Sequence, residues 1–492
     1  KTWHSITMSF AHIQRIARLV EGNMEGAMYN LFVRDLWDGY NTEYREIQRR
    51  FAALEEKRKA LNITDQYLAQ ELITYKAGGA TDITLTREEA IGVYIYSKNK
   101  MAMEKLLSHG GNGMSVFDIS EIVAKLEKKD IEFGNYLIES IGGDAEYERL
   151  KATTYRIYNI TLGREEHYFP LRAKGLEVEG SADLITGPTR SSISYIDKGM
   201  TVERVHSKYQ VDLAVVGTWQ DVMRQQEHLM ALGQWVKDAN YLLGPNGAVG
   251  HTISINFGST IRQAMQDFVN RVAGQKDNAR YVSKIFNTML SKASASMISY
   301  NASSMMKQMA SLSAVLRGGV NPVRFFQMML SPVGPHPQLK NWKAARNLMY
   351  ELAPDMKSRT FNVEVQRFRN LKNTTQAGRT LKKFTDFGLE HGTGAVDSIV
   401  VTRLWWAAYM TALDKKLASK DAVFRASQFI AETQSTTNQM DMSLIQQSEN
   451  SFFRIITQFR NDAFQHWNQI FFDLPYHIRN KMWKIGRASC RE

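Results

Sequence analysis

In the run Tyr40-Asn41-Thr42-Glu43-Tyr44-Arg45-Glu46-Ile47-Gln48-Arg49-Arg50-Phe51-Ala52-Ala53-Leu54-Glu55-Glu56-Lys57-Arg58-Lys59-Ala60-Leu61, the residues Tyr40, Tyr44, Ile47, Phe51, Leu54 and Leu61 recur at spacings of three and four. Arg58 is the one interruption of that seam. The period is that of a helix with one apolar face. Glu43, Arg45, Glu46, Arg49, Arg50, Glu55, Glu56 and Lys57 lie between the seam positions and are expected on the opposite, solvated face. Six seam positions are too few for a long coiled coil, so the run reads as one helix of a hairpin or bundle.

Working outward, Thr86-Arg87-Glu88-Glu89 is a capping-box start, with the Thr86 hydroxyl taking a first-turn N–H while Glu89 reaches back. The helix it opens carries Ile91, Tyr94, Ile95 and Met101 and is stopped by His109-Gly110-Gly111-Asn112-Gly113. Asp118-Ile119-Ser120-Glu121 reads as a second start, opening Ile122 to Leu126. Residues 1–165 are therefore expected to form an N-terminal helical bundle. In Glu165-Glu166-His167-Tyr168-Phe169-Pro170-Leu171, Pro170 forbids further helix and drives Phe169 extended. The chain then becomes rich in Gly, Ser and Thr, so 166–200 is expected to be an irregular crossing or a small β-hairpin.

Helical patterning returns from Val211 to Leu243, and Gly244-Pro245-Asn246-Gly247 ends it and begins a connector. A further stretch runs from about Thr260 to Arg317, broken near Gly274, completing a central helical region, 201–330. The strongest punctuation, Gly318-Gly319-Val320-Asn321-Pro322 and Ser331-Pro332-Val333-Gly334-Pro335-His336-Pro337, marks a boundary. Helices then recur over Trp342–Leu352, Phe361–Leu389, Ala395–Leu417, Ala422–Thr433 and Leu444–Phe472, within a basic C-terminal helical region, 338–484. The predicted fold is mainly α. We expect an elongated multi-helix assembly of helical hairpins and bundles with one short irregular or β-hairpin insertion near 166–200. No internal repeat is convincing enough for a solenoid.

Composition agrees with packed helices. The 492 residues allow roughly two to four domains, 43% hydrophobic and 11% aromatic residues fill real cores, and nine prolines leave long helices unbroken. The chain begins at Lys1 with neither an initiator Met nor a signal-peptide pattern, so its true start is expected elsewhere. Ile485-Gly486-Arg487-Ala488-Ser489-Cys490-Arg491-Glu492 back-translates as ATC GGA AGA GCG TCG TGT AGG GAA, resembling a short-read sequencing adapter read in frame. Residues 485–492 are accordingly expected to be an artefact, with a genuine basic tail as the alternative. Without Cys490 the chain has no thiol for a disulfide, zinc cluster or nucleophile. No run of about 18 apolar residues marks a transmembrane helix.

Charge is unevenly placed. From Tyr300 to Glu492 there are 26 Lys+Arg against 14 Asp+Glu, while residues 1–299 hold 36 of each, so the whole net charge of +12 lies in the C-terminal part. Between Pro337 and Phe384 there are 11 basic residues (Lys340, Lys343, Arg346, Lys357, Arg359, Arg367, Arg369, Lys372, Arg379, Lys382 and Lys383) against Glu351, Asp355 and Glu364. On a continuous helix Arg369, Lys372, Arg379 and Lys383 fall within about 80° of one another at ~100° per residue. Such a row neutralises phosphates of double- or single-stranded DNA without reading sequence; a solvated helical surface is the alternative. Candidate nucleic-acid contacts are Lys340, Lys343, Arg367, Arg369, Lys372, Arg379, Lys382 and Lys383. A membrane alternative rests on Met305 to Val333, where Met305, Met306, Met309, Leu312, Val315, Leu316, Phe325, Phe326, Met328, Met329 and Leu330 are interleaved with Lys307, Arg317 and Arg324. A buried helix pair explains the same pattern, and Trp405, Trp406 and Trp467 read as core anchors.

Catalytic and metal signatures are weak. The eleven histidines include no HExxH and no pair at ligand spacing, and His228 after Gln225-Gln226-Glu227 reads as a polar surface or core-edge residue. Gly244-Pro245-Asn246-Gly247-Ala248-Val249-Gly250 lacks the following Lys-Ser/Thr of a phosphate loop. His391-Gly392-Thr393-Gly394 lacks a nucleophile context. Glu165 and Glu166 beside Tyr168 and Phe169 are the one carboxylate pair worth testing as catalytic acids, of a cell-wall lytic domain for instance. Their alternative is a solvated pair before a chain reversal. No catalytic residue, cofactor, metal or small-molecule substrate is predicted.

In order along the chain come Leu85-Thr86-Arg87-Glu88-Glu89-Ala90, Tyr168-Phe169-Pro170, Asp397 with Trp405-Trp406-Ala407-Ala408, Ala431-Glu432-Thr433-Gln434-Ser435-Thr436-Thr437, and Phe459, Asn461 and Asn468. This ensemble, over most of Leu85 to Pro475, resembles the helical regions of large polyvalent proteins of tailed phages and related mobile elements. Each motif is short. The resemblance implies a module beside varied enzyme domains in a long chain. It further implies a place in the virion interior, or in the host cytoplasm after injection with the DNA, and contact with other virion proteins or flanking domains. It carries over no catalytic residue. Function is therefore expected to be structural, with DNA binding by the basic half; a membrane-active ejection component and a lytic enzyme are the alternatives.

Overall fold

The computed structural model describes residues 12–21, 25–77, 81–108, 112–172, 187–188, 210–244, 247–273, 275–276, 320–331, 341–359 and 394–433. The described chain is mainly helical, as its sequence patterning requires. In order it forms α1 (Ile13–Val20), α2 (Ala27–Tyr29), a π-helical turn (Asn30–Asp35), α3 (Leu36–Ala60), α4 (Asp65–Leu68), β1 (Glu71–Ala77), β2 (Thr81–Thr86), α5 (Arg87–Ser97), α6 (Lys100–Leu107), α7 (Val116–Ala124), α8 (Lys128–Gly142) and α9 (Asp144–Tyr158). There follow α10 (Val215–Leu243), α11 (Ala248–Phe257), α12 (Ser259–Val272), α13 (Pro322–Leu330), α14 (Trp342–Leu352), α15 (Pro354–Arg359), α16 (Gly394–Asp414) and α17 (Ser419–Thr433).

Packing divides the chain into two units. One comprises residues 42–238 and 272–275; the other takes 1–41, 239–271 and 276–492. The described residues 12–21 and 25–41 thus share a unit with the described C-terminal helices.

In the unit of residues 42–238, α5 is the central rod. Ala90-Ile91-Gly92-Val93-Tyr94-Ile95-Tyr96 contains no charge and is buried on every side, as an all-round apolar helix must be. Its start is the predicted capping box: Thr86 Oγ1 accepts Glu89 N at 3.3 Å and Glu89 Oε2 accepts Thr86 N at 2.8 Å. Helices α6, α7 and α8 pack around it together with the strands. Its two tyrosines satisfy their buried hydroxyls, Tyr94 donating to Asn135 Oδ1 at 2.8 Å and Tyr96 to the Pro170 carbonyl at 3.0 Å.

Four local expectations are corrected here. The first is the single helix expected to run on to His109: α5 ends at Ser97, and Met101 lies in α6, started afresh by the Asn99 cap. The N-terminal block contains an antiparallel hairpin, β1 with β2, in which Tyr75 opposes Ile83 and Thr74 opposes Thr84. Glu-Leu-Ile-Thr-Tyr and Thr-Asp-Ile-Thr-Leu-Thr alternate with period two and are β-branched, so this strand pattern overrides the helical trend of its neighbours. The second capping box is formed by Ser115 and Asp118, three residues earlier than Asp118 itself. Ser115 Oγ accepts Asp118 N at 3.1 Å, and Asp118 Oδ2 accepts Ser115 N at 2.7 Å. A fourth difference is α11, where a connector was expected: Gly244 ends α10, but the chain re-enters helix at Ala248. Of the insertion expected near 166–200, residues 166–172 are non-helical and Gly187–Pro188 is extended; residues 173–186 and 189–200 lie outside the described residues. So do Phe361–Leu389, Leu444–Phe472 and Trp467 from the predicted helices and core anchors.

In the other unit, α16 is covered by α13, α14 and α17 around Met328, Met349, Leu404, Trp405, Trp406, Phe429 and Ile430. The tryptophans are core anchors as expected. Trp405 donates Nε1–H to Ser427 Oγ at 3.2 Å and Trp406 to the Ala345 carbonyl at 3.1 Å, while Tyr409 stacks on Trp405 with ring centroids 5.1 Å apart. From the N-terminal part of the chain, Trp37 meets Phe424 edge-on at 5.2 Å and Arg34 pairs with Asp421.

Gly92 sits where α5 passes under the strand-like segment before α10: a Cβ there would stand 2.5 Å from the Leu213 carbonyl oxygen. Alanine adds up to ~1 kcal/mol of helix propensity, but the neighbour is backbone and cannot swing away. We expect Gly92→Ala to lower stability by about 1–3 kcal/mol, measured by denaturant unfolding; an unchanged or raised midpoint would show that the segment at Leu213 gives way freely.

Candidate functional site

Among the predicted nucleic-acid contacts, Lys343 is described, and it is exposed in the first turn of α14. Lys340, Arg367, Arg369, Lys372, Arg379, Lys382 and Lys383 lie outside the described residues. In the same unit several carboxylates are occupied. Asp414 takes Arg324 in two-pronged fashion at 2.8 and 2.9 Å, Asp421 takes Arg34, Glu432 takes Arg18 at 2.9 Å and Asp355 accepts the Trp37 indole N–H at 3.3 Å; Glu351 is exposed. Two of the arginines serve the fold as well. Arg403 donates to the Met328 and Ser331 carbonyls at 2.9 and 3.3 Å and to that of Met329, closing the end of α13, and lies over the Trp342 ring at 4.5 Å. Arg346 reaches Ser398 Oγ at 3.4 Å. By contrast Lys343, Lys357, Lys415 and Lys416 are exposed, and among the described residues no carboxylate lies within ion-pair distance of them. Lys415 and Lys416 adjoin the C-terminus of α16, where cations also suit the helix dipole.

A second constellation, in the unit of residues 42–238, was not predicted. Glu43 and Arg50 were expected on the wet face of α3; both are buried. Glu43, Ile47, Arg50 and Leu54 follow one stripe at spacings of four, three and four, so the ionic pair shares a face with apolar neighbours. That spacing was the signal available, but charge alone had suggested solvent. Arg50 Nη1 lies 2.7 Å from Glu227 Oε1, with side chains 5% and 2% exposed. Arg50 also donates to Gln226 Oε1 at 3.3 Å, to Glu146 Oε2 at 3.5 Å and to the Ser140 carbonyl. Arg149 completes the cluster, bound to Glu146 at 2.9 Å and to Glu227 Oε2 at 3.3 Å. Four helices, α3, α8, α9 and α10, thus meet on one guanidinium. Trp219 donates to Ser140 Oγ at 2.7 Å and Gln226 to the Ile141 carbonyl at 3.1 Å, fixing the α8 end of the same cluster.

His228, read from sequence as a surface or core-edge residue, is instead buried in the next position of α10. Its Nδ1 is 3.0 Å from Glu43 Oε1 and its Nε2 is 2.7 Å from the Val272 carbonyl. Burial pushes the imidazolium towards losing its proton. The Glu43 charge, the hydrogen bond to Glu43 and that to Val272 outweigh burial and raise the pKa above the ordinary 6.5.

The other sequence candidates take ordinary positions. Glu165 and Glu166 are exposed, Glu165 accepting Asn99 Nδ2 at 2.7 Å, and the chain turns at His167 with a left-handed φ of 51°. Among the described residues no group of three or more His, Cys, Asp or Glu could hold a metal ion, and no helix is long and apolar enough to cross a membrane.

Removing one partner of a buried ion pair leaves the other charged and dry, whereas an exposed pair is screened. Arg50→Ala is therefore expected to cost about 3–5 kcal/mol of unfolding free energy. Lys57→Ala, which breaks the exposed 2.6 Å contact of Lys57 with Glu132, is expected to cost under about 1 kcal/mol. Comparable losses in the two variants, read from denaturant midpoints, would mean that the Arg50 cluster is hydrated.

No protein-family model, no curated protein and no solved structure matches the chain.

Proposed function

We propose that the chain is a structural helical module of a large phage protein, carried in the virion or delivered with the genome, whose basic C-terminal part binds nucleic acid through its phosphates. The observation that carries the binding is the distribution of charge. The excess of 26 basic over 14 acidic residues is confined to Tyr300–Glu492. Within it four of the described acids, Asp355, Asp414, Asp421 and Glu432, have partners in the fold, while Glu351 and the cations Lys343, Lys357, Lys415 and Lys416 are exposed. Where most acids are paired with arginines or an indole N–H, the lysines left over are presented to an outside anion. The resemblance of Leu85 to Pro475 to helical regions of phage polyvalent proteins supports the structural part of the reading.

Phosphate neutralisation releases counterions, so binding to mixed-sequence double- and single-stranded DNA should weaken steeply with salt, by about 0.9 in log–log slope per duplex phosphate contacted. Replacing Lys343, Lys357, Lys415 and Lys416 by Glu, and separately Arg369, Lys372, Arg379 and Lys383, is expected to flatten that slope in each variant. Absence of binding at low salt would leave the basic residues as a solvated surface and reject nucleic acid as the partner.

A second reading, contact with lipid, is favoured by α13. Its Val323, Phe326 and Leu330 lie on one face and are 71%, 60% and 77% exposed, while Met328 is buried on the other. Co-sedimentation with anionic liposomes that is lost in Phe326→Asp would favour it, and indifference to lipid would remove it.

A further inference from the structure

We propose that His228 and Glu43 form a proton-controlled latch on the main chain at Val272. Three elements meet there: His228 on α10, Glu43 on α3 and Val272 at the end of α12. The Val272 carbonyl only accepts, so a 2.7 Å contact requires a proton on Nε2. Nδ1, 3.0 Å from Glu43 Oε1, also needs a proton between the two atoms, carried by the ring or by the carboxyl. The closed arrangement therefore holds one proton more than a neutral imidazole beside a carboxylate.

When that proton leaves, one N–H remains for two acceptors. Among the described residues the second oxygen of the buried Glu43 carboxylate has no hydrogen-bond partner, so the remaining N–H goes to Glu43. The Nδ1–H tautomer turns a lone pair towards the Val272 oxygen, and the tie becomes a repulsion. The latch is closed at low pH and opens as pH rises and the extra proton is lost. The surrounding charges do not replace it. On α10, Glu227 is engaged by Arg50 and Arg149, and Arg224 lies against the Phe51 ring at 5.3 Å while feeling the Glu43 charge. On α3 the facing charge is Glu43, with Arg50 two turns on, and on α12 Arg271 adjoins Val272.

The test uses the full chain with 15N-labelled histidine, followed from about pH 5 to about pH 9. Backbone hydrogen exchange over residues 265–273 is measured in parallel and corrected for its intrinsic pH dependence. The expected result is replacement of Nε2–H by Nδ1–H at His228, with protection near Val272 falling roughly tenfold over the same range. Glu43→Gln supplies an amide donor to Nδ1 and keeps Nε2–H on Val272. It should retain protection at high pH and lose the transition. An Nε2–H that persists throughout, protection that stays flat while His228 titrates, or a Glu43→Gln protein that opens like the wild type would each overturn the latch. If Glu43→Gln does not fold, the wild-type tautomer and exchange measurements decide by themselves.

Discussion

A guanidinium taken out of water must find its hydrogen-bonding shell inside the protein, and in the unit of residues 42–238 this condition falls on Arg50. Its five donors are arranged in a rigid plane, so acceptors have to be delivered to fixed directions. The Ser140 carbonyl at the end of α8, Glu146 on α9, and Gln226 with Glu227 on α10 are those acceptors. None can move without stranding a buried charge. The apolar core around α5 supplies the bulk of the driving force through area removed from water, but apolar contact is non-directional. Arg50 contributes direction, setting how four helices register. Arg149 balances the second carboxylate oxygen of Glu227, so the cluster is neutralised group by group.

The other unit meets the same need with aromatic rings. Trp405, Trp406 and Tyr409 form a block in which every ring touches the other two, at 5.1 to 5.4 Å between centroids. Both indole N–H groups are satisfied within the core, which is what permits such large side chains to be buried. The N-terminal helices join this block through pairs nearly 400 residues apart in sequence: Lys420 with Asp38 at 2.8 Å, Arg425 with Glu25 at 2.6 Å, and Arg34 with Asp421. Exposed pairs of this kind add little stability one at a time. They match opposite charges near residue 30 and near residue 420, in both senses, once apolar packing has brought them together.

Patterning and chemistry leave different traces in a sequence, and the outcome for individual residues follows from that. The Thr86 cap was legible because both partners of the box lie within one turn. The same holds for the stop at Gly244, the non-helical passage at Pro170 and the helices at Trp342 and Ala422. The hairpin at Glu71–Thr86 was passed over because its strands are six and seven residues long and are flanked by strong helices. Glu43 and His228 were misplaced for a different reason. Charge is a good guide to exposure only when the group has no partner to be buried with, and here each partner sits on another helix.

What the sequence by itself determined is the mainly helical class, several helix starts and stops such as those at Thr86, Leu243, Trp342 and Thr433, the burial of the paired tryptophans and the one-sided placement of positive charge. These depend on side-chain period, on caps and on composition, which act over a few residues or over none. The tertiary structure alone decided which segments share a core, that Arg50 and Glu43 are buried, and that His228 has acceptors on both ring nitrogens. Those facts depend on desolvation and hydrogen-bond saturation among residues brought together only by the folded chain. A polar side chain's environment is fixed by what its neighbours in space can accept or donate, and adjacency in sequence does not encode it.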